Sequence, residues 1–114
     1  MSECIFCKIA AKEVPSQIVA EDDQVVAFTD TNPQAPVHVL VIPKRHIANV
    51  AAAREGDESL LGHLLRVGTQ VAVEAGLVES GYRMVLNRGR DAGEVVLHIH
   101  LHVIGGRALG WPPG

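Results

Sequence analysis

The sequence predicts an α+β domain built on an antiparallel sheet. Three observations carry this: a pair of short strand-like runs in the N-terminal third, one long amphipathic helix in the middle, and two further strand-like runs after it. At 114 residues the chain fits one domain, 1–114, with no repeat, linker or low-complexity tract. A domain of this size buries roughly 60–70% of the surface its unfolded chain exposes, enough for a real core.

The elements follow in order. Residues 4–12 read as a short helix with Ile5, Ile9 and either Ala10 or Phe6 on its apolar side, ended by Pro15. The stretch QIVAEDDQVVAFTD reads as a hairpin, Ile18–Glu21 and Val25–Thr29, turning at Asp22-Asp23. TNPQAP is a loop by its prolines and polar residues, and VHVLVIP (37–43) is an apolar strand closed by Pro43. The clearest helix is 59–75. Leu60, Leu61, Leu64, Leu65, Gly68, Val71, Ala72 and Ala75 form its stripe, and Gly76 stands where a C-terminal cap belongs. YRMVLN (82–87) reads as a strand and RGRDAGE as a glycine-rich loop. VVLHIHLHVIGG reads as the last strand, broken at Gly105-Gly106.

Composition narrows the function classes. A net charge of −3 argues for neither nucleic acid nor an anionic membrane as partner. No run approaches the roughly 18 apolar residues of a spanning helix, and no signal-peptide pattern is present. The expectation is a soluble cytoplasmic protein. Its two cysteines, Cys4 and Cys7, are spaced C-x-x-C. In a reducing compartment that spacing points to metal or redox chemistry, and supplies at most half of a tetrahedral zinc site.

The chemistry concentrates in LHIHLHV, which holds His98, His100 and His102 at alternate positions. Alternate side chains share one face of a strand, so the three imidazoles point one way and Leu97, Ile99, Leu101 and Val103 point into a core. Three readings are open: a polar strand face, a zinc site built from the three histidines, or a nucleophilic imidazole flanked by donors. The last is chemically apt, because an unperturbed pKa near 6.5 leaves a neutral, nucleophilic nitrogen at pH 7.

HIHLHVI is similar to the signature of the histidine-triad (HIT) family, His-φ-His-φ-His-φ-φ with φ apolar. CIFCKIAAKEVPSQIVAEDD, TDTNPQAPVHVLVIPKRHI, YRMVLNRG and HLHVIGGRALGWPPG extend the resemblance over nearly the whole chain, toward the Hint-like purine nucleoside phosphoramidases. The resemblance implies a five-stranded antiparallel sheet with one long and one short helix, extended across a homodimer. It also implies hydrolysis of nucleoside phosphoramidates and related AMP conjugates through a nucleotidyl-histidine intermediate.

Carried over by position, His100 is the nucleophile, His102 contacts the phosphate and helps the leaving group, and His38 orients the nucleophile. Phe6, Ile9 and Phe28 wall the base of a purine nucleotide, Asp30 accepts from the ribose hydroxyls, and Asn87 lies near the phosphate. Trp111 reaches toward the partner subunit's site. Cys4, Cys7, His46 and His98 are implied to hold a structural zinc, in which His98 braces the triad. His63 receives no role.

The chain departs from the family just before the triad. Where the family reads Gly-Gln-Ser/Thr, this sequence has Gly93-Glu94-Val95. Val95 has no side-chain donor, and an ionised Glu94 only accepts. Either Glu94 is protonated beside the substrate and acts as an acid, or turnover is weakened and the protein mainly binds nucleotides. Backbone N–H groups of the 93–96 loop remain available to cradle a phosphate.

Overall fold

A computed structural model describes residues 3–114; residues 1 and 2 of the expected 1–114 domain lie outside the described residues. The N-terminal helix α1 (Ile5–Ala10) is capped by Cys4, whose Sγ accepts from the Cys7 N–H at 3.4 Å. It ends earlier than expected, and not at Pro15. Lys12 adopts a left-handed φ of 64°. The Lys12 and Glu13 N–H groups close the helix end on the carbonyls of Ile9 and Lys8 at 3.1 and 2.8 Å.

Strands β1 (Ile18–Glu21) and β2 (Val25–Thr29) form the expected hairpin. Its turn is held by Asp22, whose carboxylate accepts from the N–H groups of Gln24 and Val25 at 2.8 and 2.9 Å. That carboxylate also takes His63 Nε2 at 2.6 Å, tying the hairpin to the long helix α2 (Glu58–Glu74). Strand β3 (Val37–Pro43) pairs with β2, and β4 (Tyr82–Val85) and β5 (Leu101–Gly105) complete a five-stranded antiparallel sheet of order β1-β2-β3-β5-β4.

Helix α2 covers one face of the sheet. Leu64, Val67, Val71 and Ala72 pack with Val25, Ala27, Val39, Val41, Leu101 and Val103. At Gly68 the helix lies so close that a Cβ would meet Leu101 Cδ2 and Met84 Sδ at 3.0 Å. Gly76, at φ 78°, caps the helix as expected, with Gly76 N–H on Val73 O and Leu77 N–H on Ala72 O, both 3.0 Å. The expected stripe needs correction. Leu65 is 45% exposed and Ala75 is exposed, whereas Val67 is buried. Positions 60, 64, 67, 68, 71 and 72 follow the 3.6-residue period, and Leu65 falls on its flank.

The other sheet face carries Val26, Phe28, Leu40 and Ile42, on which Phe6 and Ile9 of α1 pack. His38 and His102 share this face. His38 pairs with Ile104 and Leu40 with His102, so the two imidazoles are diagonal neighbours on adjacent strands, within reach of each other.

The last strand is shorter than its sequence pattern. It begins at Leu101, because neither β3 nor β4 offers ladder partners before that residue. Instead Ile99 N–H bonds Ile47 O at 2.8 Å. Leu97, expected in the core, is 57% exposed. β4 likewise stops at Val85, two residues before its expected end.

Candidate functional site

The face left uncovered between α1 and the triad forms a cleft of about 640 Å³. Phe6, Ile9, Phe28, Asp30, Asn87, Gly93, Val95, His100 and His102 line it, together with Leu40, Thr31 and Val96. One end is aromatic: Phe6 meets Phe28 edge-on at 5.6 Å and His100 at 5.0 Å between ring centres. Such a wall suits a flat apolar ring, and Asp30 offers acceptors for hydroxyl groups.

Backbone partners fix the proton on each imidazole. Gln34 N–H donates to His38 Nδ1 at 3.0 Å, so the ring proton of neutral His38 sits on Nε2. That Nε2–H donates to His102 Nδ1 at 2.9 Å, with Asp30 Oδ2 also 3.3 Å away. The proton of neutral His102 therefore sits on its Nε2, which is buried and has no partner among the described residues. Burial, helped by the neighbouring His100 and His38 rings and opposed by Asp30, pushes His102 down to about 4. At pH 7 it is a neutral ring that lines the cleft and keeps an unused, buried donor. His100 Nδ1 donates to the His98 carbonyl at 2.8 Å, which leaves Nε2 of the neutral ring as a lone pair.

His98 turns the other way. It is fully buried, and its Nε2–H donates to Pro43 O at 2.8 Å, leaving Nδ1 as a lone pair. Burial lowers its pKa, which keeps the ring neutral. That Nδ1 lies 3.3 Å from Cys4 Sγ, 3.5 Å from Cys7 Sγ and 3.3 Å from His46 Nδ1. Cys7 Sγ is 3.3 Å from His46 Nδ1, and all four atoms lie within 4.8 Å of one another. These four residues are close enough to hold a metal ion.

Asp30, His38 and His102 are also mutually close. The Gln34 N–H nevertheless forces a proton onto His38 Nε2, the nitrogen that would have to coordinate, so this trio is a hydrogen-bond chain. A metal held by His98, His100 and His102 together does not form either. His98 faces the thiols, while His100 and His102 face the cleft.

One expected site residue stands elsewhere. Glu94 does not line the cleft. Its carboxylate accepts from Gly89 N–H at 3.0 Å and Arg88 Nη1 at 3.1 Å, and Glu94 N–H returns to Gly89 O at 3.1 Å. The Gly89 N–H, with Asn49 and Arg88, holds the carboxyl below the usual glutamate range, so Glu94 is ionised at pH 7 and does not serve as an acid. Its charge is offset locally by Arg88 and the Gly89 N–H. Trp111 is 80% exposed and stands against Arg83, whose guanidinium carbon lies 5.8 Å from its ring centre; it does not line the cleft of its own chain. Sequence reasoning missed Gln34, Pro43 and the His98 carbonyl as site elements. All three act through backbone atoms, which leave no residue-type signal.

A family model described as HIT domain matches residues 11–109. The chain is 53% identical over 115 residues to a HIT-like protein of Synechococcus elongatus, covering 100% of both chains. It is 49% identical over 112 residues to a HIT-like protein of Synechocystis, covering 98% of this chain and 97% of the other. Among solved structures, a HIT family hydrolase from Legionella pneumophila superposes with a TM-score of 0.96 at 47% identity, over 98% of this chain and 100% of that one. A histidine triad protein from Clostridium difficile superposes with a TM-score of 0.93 at 41% identity, over 96% of each chain. With its triad, its five-stranded sheet and these relatives, the chain belongs to the HIT family.

Proposed function

We propose that this protein is a nucleotide-binding hydrolase that cleaves nucleoside 5′-phosphoramidates or related AMP conjugates through a nucleotidyl intermediate on His100. One observation carries the reading. His100 spends its Nδ1 proton on the His98 carbonyl, and the His102 ring, whose buried Nε2–H has no partner among the described residues, lines the same cleft beside it. A nucleophile and a donor are thus side by side under an aromatic wall.

In this scheme Phe6, Ile9 and Phe28 hold a purine, Asp30 holds the ribose, and Asn87 with the 93–96 backbone receives the phosphate. His100 Nε2 attacks the α-phosphorus and the P–N bond breaks. The amine leaves with a proton from solvent, and the positive charge formed on His100 is stabilised by the His98 carbonyl. Water then attacks phosphorus, the bond to His100 breaks, AMP departs and a proton returns to solvent. His102 donates to a phosphate oxygen in both steps. Splitting one displacement into two is the gain from covalent catalysis.

The four-residue cluster would hold a structural zinc. Zinc–sulfur bonds of about 2.3 Å and zinc–nitrogen bonds of about 2.0–2.1 Å put tetrahedral nitrogen–nitrogen and sulfur–nitrogen pairs about 3.3–3.6 Å apart. The observed sulfur–nitrogen and nitrogen–nitrogen separations of 3.3 to 3.5 Å fit that range. Two thiolates and two imidazoles leave no open position, so the ion braces and does no chemistry. Such thiol ligands suit a reducing cytoplasm. A homodimer, with Trp111 lent to the partner's cleft, rests on the family resemblance and on the exposure of that ring.

The test is His100→Ala assayed on adenosine phosphoramidate, with AMP binding measured in parallel. Turnover should fall by about 10³ or more with AMP still bound, and rapid quench of the unaltered protein should trap an AMP adduct by mass. Residual turnover equal to the unaltered protein would sink the proposal. A second reading, a nucleotide-binding regulator with weak turnover, is favoured by Val95, which lines the cleft, is 85% exposed and offers no donor. Glu94→Gln with Val95→Ser should raise kcat/KM at least tenfold under that reading and leave it unchanged under the first.

A further inference from the structure

We propose that Arg107 is a positioning residue that sets the tautomer of His38, and through it the proton that His102 keeps on Nε2. Arg107 follows the Gly105-Gly106 break and is not part of the triad. Its Nε and Nη2 both donate to the Gln34 carbonyl, at 3.2 and 3.0 Å. Its Nη1 donates to Ala108 O at 2.9 Å, so the fork is held from both sides. The Gln34 N–H, on that same residue, is the donor that occupies His38 Nδ1.

A continuous chain results. Arg107 holds Gln34, Gln34 N–H with Asp30 Oδ2 keeps the His38 proton on Nε2, that proton goes to His102 Nδ1, and the remaining His102 proton is left on a buried Nε2 of a ring that lines the cleft. Every link sets the direction of the next, because a neutral imidazole has one donor and one acceptor. Without the Gln34 N–H, Asp30 Oδ2 at 3.3 Å is what still favours the proton on His38 Nε2, and the tautomer with the proton on Nδ1 gains population. In that tautomer His38 Nε2 would accept from His102, and His102 Nε2 would carry a lone pair where it now carries a proton.

A second contact makes the docking specific. Gly106, at φ 93°, lies flush on Pro36, and a Cβ there would meet Pro36 Cβ at 2.9 Å. Within the loop, Gln34 Nε2 donates to Asn32 O at 3.0 Å and Asn32 N–H to Asp30 Oδ1 at 2.8 Å. Gly106 and Arg107 therefore seat the whole 30–36 segment, which carries both Asp30 and the Gln34 N–H. A planar guanidinium gripping one carbonyl with two donors is not reproduced by the single ammonium of lysine.

The tautomer part stands on geometry alone; its effect on turnover rests on the hydrolase reading above. The test combines ring-nitrogen NMR of His38 with kinetics, on Arg107→Ala and Arg107→Lys. In the unaltered protein His38 should show protonated Nε2 and bare Nδ1. Arg107→Ala should move the two nitrogen shifts toward each other and lower kcat by about fivefold, with KM within twofold. Arg107→Lys should recover part of both. Unchanged His38 shifts in Arg107→Ala would overturn the proposal, as would shifted nitrogens with full kcat. If the unaltered protein has no turnover, the hydrolase reading fails, and the NMR arm still decides the role of Arg107. If Arg107→Ala does not fold, hydrogen exchange at the Gln34 amide in Arg107→Lys decides: faster exchange supports the proposal and unchanged exchange overturns it.

Discussion

Keeping His102 neutral has a measurable cost at low pH. Its pKa falls from 6.5 to about 4 because burial disfavours the charged ring. The unfolded chain therefore binds a proton between those values that the folded chain refuses, and stability is lost as pH drops through that window. Above pH 6.5 the ring is neutral in both states and contributes nothing. Full expression below pH 4 corresponds to about 3 kcal/mol. His102 is only part-buried, so solvent screening brings the expected effect to about 2 kcal/mol. The assay is urea unfolding at pH 7.5 and 4.5, for the unaltered protein and for His102→Gln. Glutamine can still accept from His38 but does not titrate. The Cys4, Cys7, His46 and His98 cluster and the other histidines also respond to acid, so the quantity of interest is the difference between the two proteins. The unaltered protein should lose about 2 kcal/mol more than the variant over that interval. Equal losses, or a His102 ring that titrates near 6.5 by NMR, would refute the reasoning.

Gly68→Ala should destabilise by about 1 kcal/mol, since crowding Leu101 and Met84 costs about 1–3 kcal/mol and better helix propensity returns about 1; thermal melting reads it. Gly76→Ala forces a side chain into the left-handed cap and should cost about 1 kcal/mol in urea unfolding. Under the zinc proposal, stripping metal with a chelator should lower the melting midpoint by about 10 °C or more, because the cluster would tie α1 to residues 46 and 98. AMP affinity should fall with it, since α1 carries Phe6 and Ile9 into the cleft; an unchanged midpoint in verified metal-free protein would count against the bracing role.

Much of the fold was legible because its signals are local. The Asp22-Asp23 turn, the apolar run 37–43 and the cap at Gly76 are written in neighbouring residues, and the structure places all three where expected. The family was legible for a different reason: several motifs occur in order along the chain. Where the reading went astray, a pattern outran its partners. The alternation through 95–103 looks like one strand, yet a strand lasts only as long as a neighbour supplies its hydrogen bonds, and here that begins at Leu101. Leu65 and Val67 exchanged places for a similar reason, because the burying stripe is set by where the sheet lies against α2.

By itself the sequence determined an α+β fold, an imidazole-rich site and a cysteine pair in search of two more ligands. Only the tertiary structure decided which nitrogen of each imidazole carries the proton and which is left over. His98, His100 and His102 are chemically identical in the sequence, and they differ because a distant backbone atom claims one nitrogen of each neutral ring or of its neighbour. Pro43 O frees His98 Nδ1 for the thiols, the His98 carbonyl frees His100 Nε2, and Gln34 N–H, through His38, leaves His102 a donor. The same reasoning moved Glu94 from the cleft to the Gly89 loop. A tautomer is set by a hydrogen bond across the fold, and a one-dimensional pattern of residue types carries no record of it.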